Sequence, residues 1–168
     1  MVRALLSGAL KVSVILIALM SFGLFLDFLF GGTKASQSII ALIGASLLVL
    51  GLAIEVAATH ALVRLGGGTP NPAMPPAALV TMGPYAFSRN PLYVGRVLIL
   101  TASAAILGSV GIAIVTVGLS LGLHWFLIPR EERRLSERYG PVYEAYRARV
   151  PRWILLRPRP SGKRYRHQ

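Results

Sequence analysis

Four blocks of apolar residues dominate the chain: Val12 to Phe30, Ser38 to Val63, Leu92 to Leu107 and Ile112 to Ile128. A hydrocarbon core of ~30 Å takes about 20 helical residues to cross. It offers no water to backbone N–H and C=O groups, so the blocks must satisfy their own backbone as helices. They predict an all-α integral membrane protein with about four transmembrane helices. The last two are expected to form a tight hairpin turning at the GSVG of Gly108 to Gly111, followed by cytosolic amphipathic helices. At 168 residues, 54% hydrophobic and only 14% charged, one membrane domain is the expected organisation. Arg3 and Lys11 precede the first block in the manner of a signal peptide. No mature soluble domain follows, so an uncleaved first span is the preferred reading.

Charge orients the spans. Of the 18 Lys and Arg residues, 12 lie after Pro129, which places the C-terminal segment in the cytoplasm by the positive-inside rule. With an even number of spans the N-terminus shares that side. So does the loop from Arg64 to Arg89, while Lys34 stays on the opposite face. The net charge of +12 fits nucleic acid or an anionic lipid surface. Beside membrane spans, lipid headgroups are the expected partner, with no role for nucleic acid. The tail from Arg157 reads as membrane-hugging or disordered. There are no cysteines, which excludes disulfides, thiolate catalysis and Cys-ligated metals. His60, His124 and His167 have no ligand spacing, and no metal site is expected.

The chain divides into two N-terminal spans (1–64), a cytosolic Gly/Pro-rich loop (65–90), the helical hairpin (91–128), C-terminal helices (129–153) and a basic tail (154–168). The loop contains GGG at Gly66 to Gly68 and five prolines. It lacks the strand-then-helix context of a phosphate cradle and reads as a linker. Its apolar patch, Ala78 to Val80, is placed to dip toward the membrane face.

Two polar, aromatic stretches flank the hairpin. The first, SRNPLY at Ser88 to Tyr93, is explicable locally: Asn90 suits an N-cap, Pro91 the first helical position, and Arg89 and Tyr93 the membrane interface. The second runs from Pro129 to Trp153. Glu131 and Glu132 lie in a first helical turn, Gly140 ends that helix, Pro141 opens another and Pro151 stops it. Apolar and aromatic residues recur there at helical spacing, as in a surface helix pair.

Taken in order, these stretches resemble the isoprenylcysteine carboxyl methyltransferase family, membrane-embedded S-adenosylmethionine methyltransferases that include related phospholipid methyltransferases. The resemblance rests on Leu79-Val80, GPY at Gly83 to Tyr85, RNPLY at Arg89 to Tyr93, Glu131-Glu132, YGPVYEAY at Tyr139 to Tyr146, and Val150-Pro151. It covers Leu79 to Pro151. It implies S-adenosylmethionine as cofactor, contacted by Leu79, Val80, Tyr85, Asn90, Pro91, Leu92, Tyr93 and Glu131. Glu131 would accept from ribose hydroxyls or the amino group, with Glu132 left as a partner of the helix dipole. It also implies C-terminal helices that cover the cofactor and a lipophilic small-molecule or lipid acceptor. The sequence departs from the family pattern at Asn90, Ala77 and Leu127, where prenylcysteine enzymes carry His, His and Arg. Those departures weigh against a prenylcysteine acceptor.

The candidate catalytic residues are Glu55 and Arg89. Glu55, an acid inside the second span, reads either as a group that orients the acceptor or removes its proton, or as a structural hydrogen-bonding group. His124 carries the same two readings. Arg96 reads as snorkelling or as a partner for the cofactor carboxylate, and Asp27 as interfacial. The other classes open to such a chain are an NADPH-dependent, sterol-reductase-like membrane enzyme and a non-enzymatic four-span transporter or scaffold.

Overall fold

The computed structural model describes residues 2–32, 38–67 and 78–154, with side chains from residue 10 onward. Among them the order is α1 (Val2–Phe30), α2 (Ser38–Gly66), a 3₁₀ turn (Gly83–Ala86), α3 (Pro91–Leu107), α4 (Val110–Gly122), a π turn (Leu123–Leu127), α5 (Ile128–Tyr139) and α6 (Pro141–Arg147). The expectations for Lys34, for Ala77, for the centre of the Gly/Pro-rich loop and for the tail from Arg157 fall outside the described residues.

Three stretches are long and apolar enough to cross a membrane: Leu10–Phe30, Ser38–Gly66 and the continuous Val110–Tyr139. Helix α3, at 17 residues, is a shorter apolar helix with a rise of ~26 Å. By length and composition three helices qualify as spans, and α3, the remaining expected span, is the short one. The surfaces of α1 and α2 expose Ile17, Phe22, Phe28, Ile39, Val49 and Val56, a covering suited to lipid rather than water.

Lipid gives helices no hydrophobic reason to associate, so they meet where small residues let backbones approach. Helix α2 packs along α3 through Gly51 and Gly95. A Cβ on Gly95 would lie 3.0 Å from the Gly51 carbonyl oxygen and 3.2 Å from the Glu55 nitrogen. Helix α1 meets α4 in the same way: a Cβ on Gly23 would lie 2.7 Å from the Ile112 backbone.

The turn between α3 and α4 is tighter than the expected four residues. Gly108 takes the left-handed conformation at φ 61°, which closes helices at least cost with glycine, and α4 begins two residues later. Ser109 caps it by accepting from the Ile112 N–H at 2.9 Å. Asp27, near the end of α1, lies against this turn. It is 4% exposed, accepts from the Gly111 N–H at 2.7 Å and takes the Ser109 hydroxyl proton donor as well. The free N–H groups and positive dipole end of α4 give a buried carboxylate the partners it needs.

Past Gly122 the helix does not stop for Pro129. The Ile128 N–H bonds to the Leu123 carbonyl, one residue further back than in an α-helix, and the wider π turn carries the chain through the proline. The His124 carbonyl is then left without a backbone donor, because the residue five ahead is Pro129, which has no N–H. Arg152 supplies one, its Nη1 donating at 3.2 Å. As the sequence leads one to expect, Gly140 (φ 51°) ends α5 and Pro141 opens α6. The chain then returns to the start of α3: the Arg89 N–H donates to the Pro151 carbonyl at 3.0 Å. The Arg152 carbonyl accepts from Ser88 Oγ at 3.2 Å and Asn90 Nδ2 at 3.1 Å.

Candidate functional site

The start of α3 and the start of α5 are brought together because the chain leaves along α3, turns at Gly108 and comes back along α4. At the meeting point the Tyr93 hydroxyl donates to Glu131 Oε1 at 2.7 Å. One turn along α3, the Arg96 guanidinium lies over the Tyr93 ring, 5.3 Å from its centroid. Its Nε donates to Glu55 Oε1 at 3.1 Å. Arg96 therefore faces α2 rather than snorkelling, with both side chains of the pair largely buried. Tyr85, in the 3₁₀ turn, completes the group. Burial pushes its hydroxyl above the usual phenol range, and Arg96, Glu131 and Glu55 are close enough to act on it electrostatically.

Tyr85, Tyr93, Glu131 and Glu55 thus converge with Arg96 in one cluster holding two acids, one base and two phenols. The apolar candidates lie beside it. Val80 is buried with Ala58, Ala61, Leu62 and Tyr85, and Leu92 packs against them. Leu79 packs on Tyr143, Tyr146 and Val150. The patch at 78–80 therefore rests on α2 and on α6, which accounts for its apolar composition.

Glu131 and Glu132 point to different partners. Glu132 is 6% exposed; its Oε1 lies 3.2 Å from Arg89 Nη1, and its Oε2 accepts from Arg152 Nη2 at 2.9 Å. It is more than a partner for the helix dipole: a buried carboxylate needs countercharge and hydrogen bonds together. Arg89 is held in this ion pair. Asn90 occupies the N-cap position of α3 without capping it by its side chain, which instead donates to the Arg152 carbonyl. Pro91 fills the first turn as expected. Tyr146 closes the same knot, donating to the Tyr85 carbonyl at 2.7 Å, and burial raises its hydroxyl pKa as well. His124 Nδ1 accepts from the Trp153 indole at 3.0 Å, the two rings nearly parallel.

Sequence reading missed Arg152 and the Glu55–Arg96 pairing. A signal for the pair existed: Glu55 in α2 and Arg96 in α3 each stand amid apolar neighbours, and intramembrane charges seek each other. Arg152 gave no such signal, since the His124 carbonyl loses its backbone donor only through the π turn and Glu132 stands 20 residues away.

Two buried side-chain atoms of the cluster, Glu55 Oε2 and Arg96 Nη2, have no hydrogen-bond partner among the described residues. An acidic group, an unmatched donor, aromatic faces and an apolar bed form a fit for a nucleoside-bearing ligand with a cationic centre and polar ends. Among the described residues no three His, Asp or Glu side chains gather as a metal site.

The family model for phospholipid methyltransferases matches residues 39–142, from the first turn of α2 to the first turn of α6. No curated protein and no solved structure matches.

Proposed function

The chain belongs to the phospholipid methyltransferase family, and from that premise we propose that it transfers the methyl group of S-adenosylmethionine to a lipid or other lipophilic acceptor. The observation that carries the proposal is the Tyr93–Glu131 hydrogen bond, which joins the two sequence motifs into one wall. When bound, S-adenosylmethionine supplies an electrophilic methyl carbon on a sulfonium, taken by an acceptor atom in a direct displacement along the carbon–sulfur axis.

In this reading Glu131 accepts from ribose hydroxyls or an amino group, a charge-assisted contact. Tyr85 and Tyr93 turn aromatic faces and neutral hydroxyls to a cation, while Leu79, Val80 and Leu92 bed the adenine. Asn90 and Pro91 hold the backbone at the site's edge. Arg89 acts by fixing Glu132 and hence the angle at which α5 presents Glu131. Glu55 orients the acceptor or takes its proton. Positioning of two bound partners supplies much of the rate enhancement. The polar end of the site faces the cytoplasm with both termini, and a lipid acceptor reaches it sideways from the bilayer.

The test is calorimetric titration of the folded protein in detergent with S-adenosylhomocysteine, and separately with NADPH. Heat with the first and none with the second is expected. No binding of S-adenosylhomocysteine at millimolar concentration, or a preference for NADPH, would sink the proposal.

A further inference from the structure

Glu55 and Arg96 meet through one atom each. Arg96 Nε donates to Glu55 Oε1, while Glu55 Oε2 and Arg96 Nη2 are buried and unmatched among the described residues. Arginine and carboxylate commonly pair through two parallel hydrogen bonds. Here the backbones are fixed beside the pair by the contact of Gly51, one turn before Glu55, with Gly95, the neighbour of Arg96. Burying a donor and an acceptor without partners is costly, and the cost falls on one strong acceptor and one strong donor side by side. The other unmatched buried atoms among the described residues belong to Arg89 and Tyr143, where Glu132 already supplies the opposite charge for Arg89.

We infer that the Glu55–Arg96 pair is a recognition site for a zwitterionic group, its ammonium on Glu55 Oε2 and its oxyanion on Arg96 Nη2. A cation alone would leave the guanidinium N–H unmatched, and an anion alone would leave the carboxylate oxygen unmatched. A group carrying both satisfies the two atoms at once and keeps the site's net charge unchanged. The Arg96–Tyr93–Glu131 chain of contacts makes this site continuous with the wall described above. The inference rests on the methyl-transfer reading for its two possible sources: the amino-acid end of the adenosyl cofactor, or the ammonium and phosphate of an acceptor headgroup.

The experiment compares wild type with Glu55→Gln, Arg96→Gln and the double variant Glu55→Leu with Arg96→Met. The double variant replaces a buried ion pair by apolar side chains, a change that folded proteins tolerate, and its melting temperature checks this. Should either single variant fail to fold, the double variant carries the test. In the first arm, S-adenosylhomocysteine is titrated against 5′-methylthioadenosine, which lacks the amino-acid end. In the second, short-chain phosphatidylethanolamine is titrated against short-chain phosphatidylglycerol. A cofactor source gives wild type a preference of at least about tenfold in the first arm that falls to about twofold or less in the variants, with 5′-methylthioadenosine binding unchanged. A headgroup source gives that pattern in the second arm instead. Preferences that are absent from wild type, or that survive in folded variants, overturn the inference while nucleoside binding leaves the methyl-transfer reading standing. Wild type that binds neither nucleoside overturns both.

Discussion

Glu131 and Glu132 are adjacent in the chain and act on different sides of α5: the first accepts from Tyr93 at 2.7 Å, the second lies between Arg89 and Arg152. Successive helical residues differ by about 100° in direction. A glutamate pair can therefore divide between a ligand wall and the knot that supports it.

The two glutamines should separate those roles. Glu132→Gln leaves two guanidinium groups without their charge partner and should lower stability by about 3 kcal/mol, read as a fall in melting temperature in detergent. Glu131→Gln should leave that temperature nearly unchanged and weaken S-adenosylhomocysteine binding by ~1.5 to 3 kcal/mol, read by calorimetry. Equal effects of the two changes on both measurements would contradict the division.

Arg152→Lys should loosen the C-terminal segment. One guanidinium serves both Glu132 and the His124 carbonyl, whereas an ammonium is a point donor that cannot span the two. Hydrogen exchange should quicken from Pro141 to Trp153, with about 1.5 to 3 kcal/mol lost. Unchanged exchange would mean that another group satisfies the carbonyl.

Gly95→Ala should cost about 1 to 3 kcal/mol, because the added methyl meets the backbone of α2 rather than a flexible side chain. Gly118→Ala, where nothing lies within 4 Å of the new Cβ, should be neutral or mildly stabilising. Thermal unfolding of the two variants side by side is the check.

The side of the membrane is testable with single cysteines at exposed positions. Cysteines replacing Met82 and Val142 should react with an impermeant thiol reagent from the cytoplasmic face, and one replacing Val110 from the other. All three positions are exposed. Reaction of Met82 and Val142 variants from opposite faces would separate the two halves of the candidate site.

Much of the helical framework was legible because its punctuation is local. Pro91, Gly108, Gly140 and Pro141 each act within one turn of where they stand, and each bounds a helix as its chemistry requires. Pro129 misled for the same reason: a proline reads locally as a break, and only the π turn before it lets the helix continue. The burial of Asp27 was not legible because its partners, Ser109 and Gly111, lie more than 80 residues away. Tyr85, Tyr93 and Glu131 could be collected only by their resemblance to an ordered family pattern. Glu55–Arg96 forms across two helices and Glu132–Arg152 between α5 and the segment after α6, where no spacing within one segment announces them.

The π turn also makes room. It holds one residue more than an α-helical turn of the same height, and absorbs that residue without turning the side chains after Leu127. Deleting any one residue between Leu123 and Leu127 would preserve composition, hydropathy and charge almost untouched. It would nonetheless close the turn to an α-helical one of the same height, leaving Glu131 and Glu132 facing as they do but setting the Pro129 ring against the carbonyl four residues before it. In this segment the number of residues is a stricter inheritance than their identity.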